Sequence, residues 1–348
     1  LSFELGTLKK IAMINKLKYL SFGIMLLSGI KSQAQQNIQM TQYIFNSISI
    51  NPAYAGYKEE WFGQLGLRSQ WTGWDGAPKT GVLSVDGVLD PVERRHGVGL
   101  SISADALGAQ SATSIYANYA LRLQLDRSDE HRLSLGIAGG VTQYGLDGNK
   151  LNPADGNDQV LPDGKISTWR PDIRLGLYYN NSRWYAGVAV QDLFAGTDSD
   201  EDFQFNQNSL ESIYRNIHGY FMAGALLELE PGLLLRPSLL VKDDFKGPTA
   251  VDITAMFVFN DKFWIGPGYR TRAKIFNRDY SDATADKLSS LNSVSGIAQF
   301  YVSPRFRVGY SYDHMLNRLS GMQSGSHEVT LGVTLGSSGR RVLSPRYF

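Results

Sequence analysis

Beyond residue 60 the sequence alternates apolar and polar side chains in about fourteen short stretches, and this rhythm limits the possible folds more than any motif does. One stretch carries Val98, Leu100, Ile102 and Ala104 on one face and Gly97, Gly99, Ser101 and Ser103 on the other. Later ones read Ile173, Leu175, Leu177, Tyr179; Val251, Ile253, Ala255, Phe257, Phe259; and Val329, Leu331, Val333, Leu335. Period two is the signature of a strand with two unlike faces. A soluble sandwich alternates in the same way, so the connections must decide. After even stretches they are short, as at 90–95, 126–130, 180–182, 230–232, 260–261 and 303–304. After every odd stretch a long polar connection is expected, as at 145–168, 194–215, 271–291 and 313–324. A sandwich has no reason to sort its loops by parity. A membrane barrel does, because one rim faces the assembly machinery and the other faces outside. The fold class expected is an all-β, transmembrane antiparallel β-barrel of about fourteen strands.

Register follows from charge. Arg68, Asp86, Arg122, Asp172, Arg174, Arg236, Asp252, Arg305, Arg307 and Glu328 all fall on the face opposite the apolar residues. A charge facing lipid at the midplane costs about 2–4 kcal/mol, so these residues are expected in the lumen. Trp169, Trp184, Trp264, Phe300, Tyr310 and Tyr312 lie toward strand ends, where interfacial aromatic girdles belong. Pro237 and Pro267 fall inside expected strands, and each removes a ladder donor, which predicts bulges or local irregularity there.

Residues 13–34 read as a signal peptide: Met13, the basic Lys16 and Lys18, an apolar stretch from Tyr19 to Ile30, and Ser32-Gln33-Ala34 as a small-x-small cleavage site. Residues 1–12 read as an upstream extension of the start site. The expected domains are then a periplasmic or plug segment at 35–58, the barrel at 59–337 and a tail at 338–348. Lys9, Lys10, Lys16, Lys18 and Lys31 against Glu4 account for +4, so a formal total of +1 leaves the remainder at −3. With no basic stripe, nucleic acid is not an expected partner. The chain has no cysteine, which removes thiol catalysis, disulfides and a lipidated N-terminal cysteine.

No catalytic, cofactor-binding or metal-binding residue is expected. His96, His131, His218, His314 and His327 sit in no nucleophile motif and at no metal-ligand spacing. The acidic runs at 147–163 and 198–202 offer oxygens that suit Ca²⁺, but they lack the twelve-residue loop pattern and read as ordinary turn chemistry. The chain is not expected to be an enzyme.

The segment before the first strand stands apart. Gln42-Tyr43-Ile44-Phe45-Asn46 and Asn51-Pro52-Ala53-Tyr54-Ala55-Gly56 combine aromatics with turn formers and show no period. A free tail needs no Tyr43, Phe45 and Tyr54. Two readings stay open: a plug against the rim or lumen, or a docking surface for a partner, since aromatics anchor many interfaces.

At this segment the chain resembles the PorP/SprF family of Bacteroidetes outer-membrane proteins. The resemblance rests on Thr41–Asn46 and Asn51–Gly56, on the run Arg68-Ser69-Gln70-Trp71-Thr72-Gly73-Trp74-Asp75-Gly76-Ala77-Pro78-Lys79-Thr80, and on the ending Ser344–Phe348. It implies an integral outer-membrane barrel of the type IX secretion system. Such a barrel would act in secretion or surface attachment of a large exported protein such as an adhesin, with a link to gliding. The partners implied are type IX components, an exported surface protein and outer-membrane lipid. On that reading the candidate partner-binding residues are Gln42, Tyr43, Phe45, Asn46, Asn51, Pro52, Tyr54 and Gly56 in the segment, and Arg68, Trp71, Trp74 and Lys79 along the first hairpin near the outer rim. An even strand count places both termini in the periplasm. The alternative is a passive porin-like channel for small solutes, while the charged inner face disfavours a fatty-acid path.

Overall fold

The computed structural model describes residues 38–151, 162, 164–195, 203–205, 208–210, 215–273, 275, 292–316 and 318–335. The signal peptide, the start-site extension, the C-terminal tail, the acidic run 198–202 and most of 147–163 lie outside these residues.

The strands are β1 (Trp61–Ser69), β2 (Lys79–Val88), β3 (His96–Leu107), β4 (Gln110–Gln124), β5 (Arg132–Asp147), β6 (Lys165–Asn180) and β7 (Trp184–Gln191), then a small hairpin of β8 (Phe203–Phe205) and β9 (Asn208–Leu210). They continue as β10 (His218–Ala225), β11 (Leu227–Glu230), β12 (Leu233–Asp243), β13 (Thr249–Phe259), β14 (Phe263–Ala273), β15 (Ser293–Tyr301), β16 (Phe306–Met315) and β17 (Ser326–Leu335). Each wall strand pairs antiparallel with its neighbours, and β1 pairs with β17 from Trp61↔Leu335 to Ser69↔His327, which closes the wall. β10 and β11 are two parts of one wall strand, both paired with β12, so the barrel has fourteen strands.

Closure follows from the alternation. Leu67, Leu100, Ile115, Ile137, Leu175, Val188, Ile253, Ile265, Val308 and Leu331 are exposed on the outside. Gln64, Arg68, Ser84, Asp86, Arg122, Asp172, Arg236, Asp252, Arg307 and Glu328 are buried within. A soluble protein would have these faces reversed. Closing the sheet also leaves no edge whose N–H and C=O groups would face hydrocarbon.

Several expectations need correction. Arg305 is exposed in the β15–β16 turn, outside the lumen, because the strand stops at Tyr301. Trp264 is buried on the inner face. It shares the parity of Gly266 and Gly268, while Phe263 and Ile265 face out. The connection after β3 is not long: β3 and β4 close tightly on residues 108–109, with Gly108 at φ +58 and Leu107 paired to Gln110. The β12–β13 connection, 244–248, is also short. The other connections on that rim (70–78, 148–164, 192–217, 274–292 and 316–325) are longer than the turns at the opposite rim.

The prolines interrupt ladders without shifting register. The β10–β12 ladder stops at Gly224↔Ser238, and pairing to β12 resumes at Leu227↔Leu235, on either side of Pro237. The β13–β14 ladder skips from Thr254↔Gly268 to Phe257↔Ile265 around Pro267. The one register shift at this seam is between Glu228 and Glu230.

Candidate functional site

Residues 38–60 do not join the wall. They cross its interior in three 3₁₀ turns, Tyr43–Phe45, Ser47–Ser49 and Pro52–Tyr54. Irregular backbone survives at membrane depth only when protein satisfies it. Here Phe45 N donates to Gln42 O at 3.0 Å, Asn51 N to Ser47 O at 2.9 Å and Tyr54 N to Asn51 O at 3.0 Å. Asn51 caps the third turn by accepting from Ala53 N at 2.9 Å, and Pro52 follows it where a missing N–H costs nothing.

The segment is latched at the long-connection ends of the strands. Glu328 on β17 accepts from two successive backbone N–H groups, Thr41 at 2.7 Å and Gln42 at 2.9 Å. Arg68, its register partner on β1, bridges Glu328 at 3.1 Å and Asp313 at 2.6 Å. Thr41 Oγ1 accepts from Arg68 at 2.8 Å and donates to Asp313 at 2.6 Å. Each charge in this buried cluster is thus paired with an opposite charge, the condition for burying it, with Arg68 Nε alone of the guanidinium nitrogens left without a partner among the described residues.

From there the segment descends into the lumen. Phe45 packs edge-on against Trp264, with centroids 5.6 Å apart. Arg236 and Arg307 flank this aromatic pair and donate to Ile44 O and Phe45 O, both at 3.2 Å. Ser84 donates to Asn46 Oδ1 at 3.0 Å. Gln191 at the end of β7 donates to Ser49 O and Ile50 O at 3.1 and 2.7 Å. Asn51 Nδ2 donates to Leu177 O on β6 at 2.9 Å and to Val188 O on β7 at 3.2 Å. Tyr54, Tyr57, Tyr178 and Tyr185 then form one aromatic cluster, with Tyr54 on Tyr57 and Tyr178 on Tyr185 stacked and the two pairs meeting edge-on. Gly56 N donates to Asp86 Oδ2 at 3.0 Å. At the short-turn end Glu59 pairs with Arg94 at 2.7 Å and with the buried Arg122 at 3.3 Å, and β1 begins two residues later.

The wall makes room with glycine. A Cβ on Gly97 would lie 1.9 Å from Ala55 O, one on Gly136 2.0 Å from Ala53 N, and one on Gly176 2.0 Å from Asn51 Oδ1. These inward positions would otherwise carry side chains. They form a track on which the segment's backbone lies directly against the strands.

The candidate residues therefore fall in two places. Gln42, Tyr43, Phe45, Asn46, Asn51, Pro52 and Tyr54 are buried in the lumen, and Gly56 is wedged against Gly97. Arg68 belongs with them: it is buried on the inner face of the first hairpin, in the latch. Trp71, Trp74 and Lys79 remain at the long-connection rim. Trp71 holds φ +46 and Gly73 φ +92, and the two indole rings lie 6.3 Å apart. The loop is bonded on both sides, by Thr72 N to Gly325 O and Ser324 N to Thr72 O at 2.8 Å, and by Gly108 N to Gly76 O at 3.0 Å. Trp74 stands exposed on that frame. Thr41 is held at the long-connection end, opposite the end at which the segment runs into β1. The partners Asp313 and Gln191 and the glycine track were not singled out from sequence. A glycine at an inward position was the one available signal.

Fourteen strands, an apolar outer face and a polar lumen define an outer-membrane β-barrel. A search of curated proteins finds no match. The profile of the type IX secretion system membrane protein PorP/SprF matches residues 32–333, and the chain belongs to that family. It is thus an outer-membrane component of the type IX secretion system, and secretion components are its partners by class. Among solved structures, the monoaromatic hydrocarbon channel CymD shares 12% identity, with 87% of this chain and 95% of that chain covered and a TM-score of 0.50. A Pseudomonas aeruginosa FadL homologue shares 11%, with 85% and 94% covered and a TM-score of 0.44. Omp33 of Acinetobacter baumannii shares 7%, with 80% and 100% covered and a TM-score of 0.42. At these identities the likeness concerns fold alone.

Proposed function

We propose that this barrel is an adaptor that holds a large exported protein, such as an adhesin, at the cell surface during type IX secretion, with a link to gliding. In this reading the long connections face outward and the short turns face the periplasm. The barrel is not an enzyme. Outer-membrane lipid covers the apolar band, and Trp71 and Trp74 on the braced first loop, with Lys79 at the start of β2, meet the exported partner.

The observation that carries the reading is the filled lumen. Residues 40–57 touch β1, β2, β3, β5, β6, β7, β12, β13, β14, β16 and β17, which argues against a permanently open porin. While the segment is seated, the surfaces left for a large partner are the rims. The test is recovery of the tagged protein from native outer membranes, with mass spectrometry of what accompanies it. Type IX components and one large surface protein are expected, and the surface protein should be lost with Trp74→Ala. Recovery of the barrel alone, in stoichiometric oligomers, would overturn the proposal.

A further inference from the structure

The wall is complete without the segment that fills it. The β1–β17 ladder closes the barrel, and no residue of 38–60 takes part in a wall ladder. The segment could leave through the short-turn rim, tethered at Glu60, without breaking one strand-to-strand hydrogen bond.

The lining is also wrong for a barrel that stays filled. A permanent core is best built from apolar side chains, and replacing buried ion pairs by such groups is often neutral or stabilising. This lumen instead buries Gln64, Ser84, Asn118, Arg122, Ser134, Thr142, Arg236, Asp252, Arg307 and Glu328. Some of its polar atoms gain nothing from the filled state. Both ends of the Gln299 amide, Ser238 Oγ, Ser311 Oγ and the Tyr178 hydroxyl are sealed from solvent and have no hydrogen-bond partner among the described residues. An unpaired buried polar group costs free energy that water would return. Evenly distributed Arg, Asp, Glu and hydroxyl groups suit a hydrated passage.

The attachment differs between the two ends. Among the described residues, the charged attachment at the long-connection end is one cluster: Glu328 and Asp313 hold Thr41 and Gln42, with Arg68 between the two carboxylates and Thr330 donating to the Gln42 side chain. At the other end the segment is covalently continuous with β1. With the latch open, what still seats the strap is the set of single hydrogen bonds from Arg236, Arg307, Ser84, Gln191 and Asn51 and the tyrosine contacts, which water can replace.

We propose that residues 38–57 are a displaceable plug, and that with the plug withdrawn the barrel is a water-filled channel passing small ions of both signs. This does not depend on the adaptor reading, since it concerns the lumen and not the rims. Conductance is regulated at the Arg68–Asp313–Glu328 latch.

The test is single-channel recording of the full-length protein, purified from outer membranes, in planar bilayers with KCl as the probe. The native form gives rare, brief openings. Glu328→Gln raises open probability by about tenfold or more, as expected when a buried charged latch loses one partner. Adding Asn46→Cys and Ser84→Cys to Glu328→Gln supplies a reversible lock, because Ser84 Oγ and Asn46 Oδ1 lie 3.0 Å apart and the chain has no other cysteine. Oxidation silences this variant and dithiothreitol restores its openings. Deletion of residues 38–56 gives sustained steps. Identical records in the oxidised and reduced forms, with the disulfide verified, would overturn the proposal. So would a silent deletion variant that still shows the heat-modifiable mobility of a folded barrel. If the deletion variant does not fold, the lock in the intact chain decides.

Discussion

The wall and the segment it encloses solve opposite problems. The wall is long, periodic and held by ladders between neighbours; its side chains need only the right parity. The segment is short and aperiodic, and it is held by contacts with strands far away in the chain, from Arg68 on β1 to Thr330 on β17. A wall residue's environment follows from its position modulo two. A segment residue's environment follows from whatever the wall presents at that height. The wall should therefore tolerate exchange within a face and fail across faces, whereas the segment should fail at particular atoms.

The largest effect is expected where the two meet. Arg68→Ala leaves Glu328 and Asp313 buried without their cation and should cost about 3–5 kcal/mol, measured by urea titration of the heat-modifiable form in liposomes. The wall alone is probed by Leu331→Arg, which places a charge on the lipid face midway along β17 and should cost about 2–4 kcal/mol in the same assay. Gly136→Leu sharpens the comparison, since its side chain collides with Ala53. It should cost about 1–3 kcal/mol, and the cost should appear as protease sensitivity within 38–57 with the wall intact. Gly139→Leu is the control: a Cβ there meets nothing within 4 Å, so it should leave the segment protected. Asn51→Ala removes the hydrogen bonds to Leu177 O and Val188 O and the cap on Ala53, for about 1–2 kcal/mol.

The smallest effect lies in the β4–β5 turn. Hydrogen bonds from the Ser128 hydroxyl and from the backbone N–H groups of His131 and Glu130 hold the Asp126 carboxyl down at about 2. A depressed carboxylate contributes above its unfolded pKa of about 3.9, and the contribution is lost as pH falls toward 2. Asp126→Asn should lower the melting temperature slightly at pH 7 and leave it unchanged near pH 2, which flattens the acid limb, as read by melting temperature against pH.

This contrast also explains what the sequence disclosed. Parity was enough for Arg68, Arg122, Asp252 and Glu328 to be placed inside and Leu100, Leu175 and Leu331 outside. Position near a strand end served for Trp169, Trp184, Phe300 and Tyr310, which are exposed, and failed for Trp264, a core residue beside Phe45. Arg305 failed because the turn runs on through residue 305 and β16 begins at Phe306. The segment was visible as an anomaly, with Tyr43, Phe45 and Tyr54 and no period, but its path was not legible. That path depends on Gly97, Gly136 and Gly176 lying on one inner surface, which only the closed barrel brings together.

The most direct test of the filled lumen is oxidative cross-linking of Asn46→Cys with Ser84→Cys in the outer membranes of growing cells. With the segment seated, nearly all of the protein should form the intramolecular disulfide, seen as a faster-migrating folded band that dithiothreitol reverses. A folded, inserted barrel whose two cysteines stay reduced under oxidant, each open to a membrane-permeant maleimide, would contradict the account.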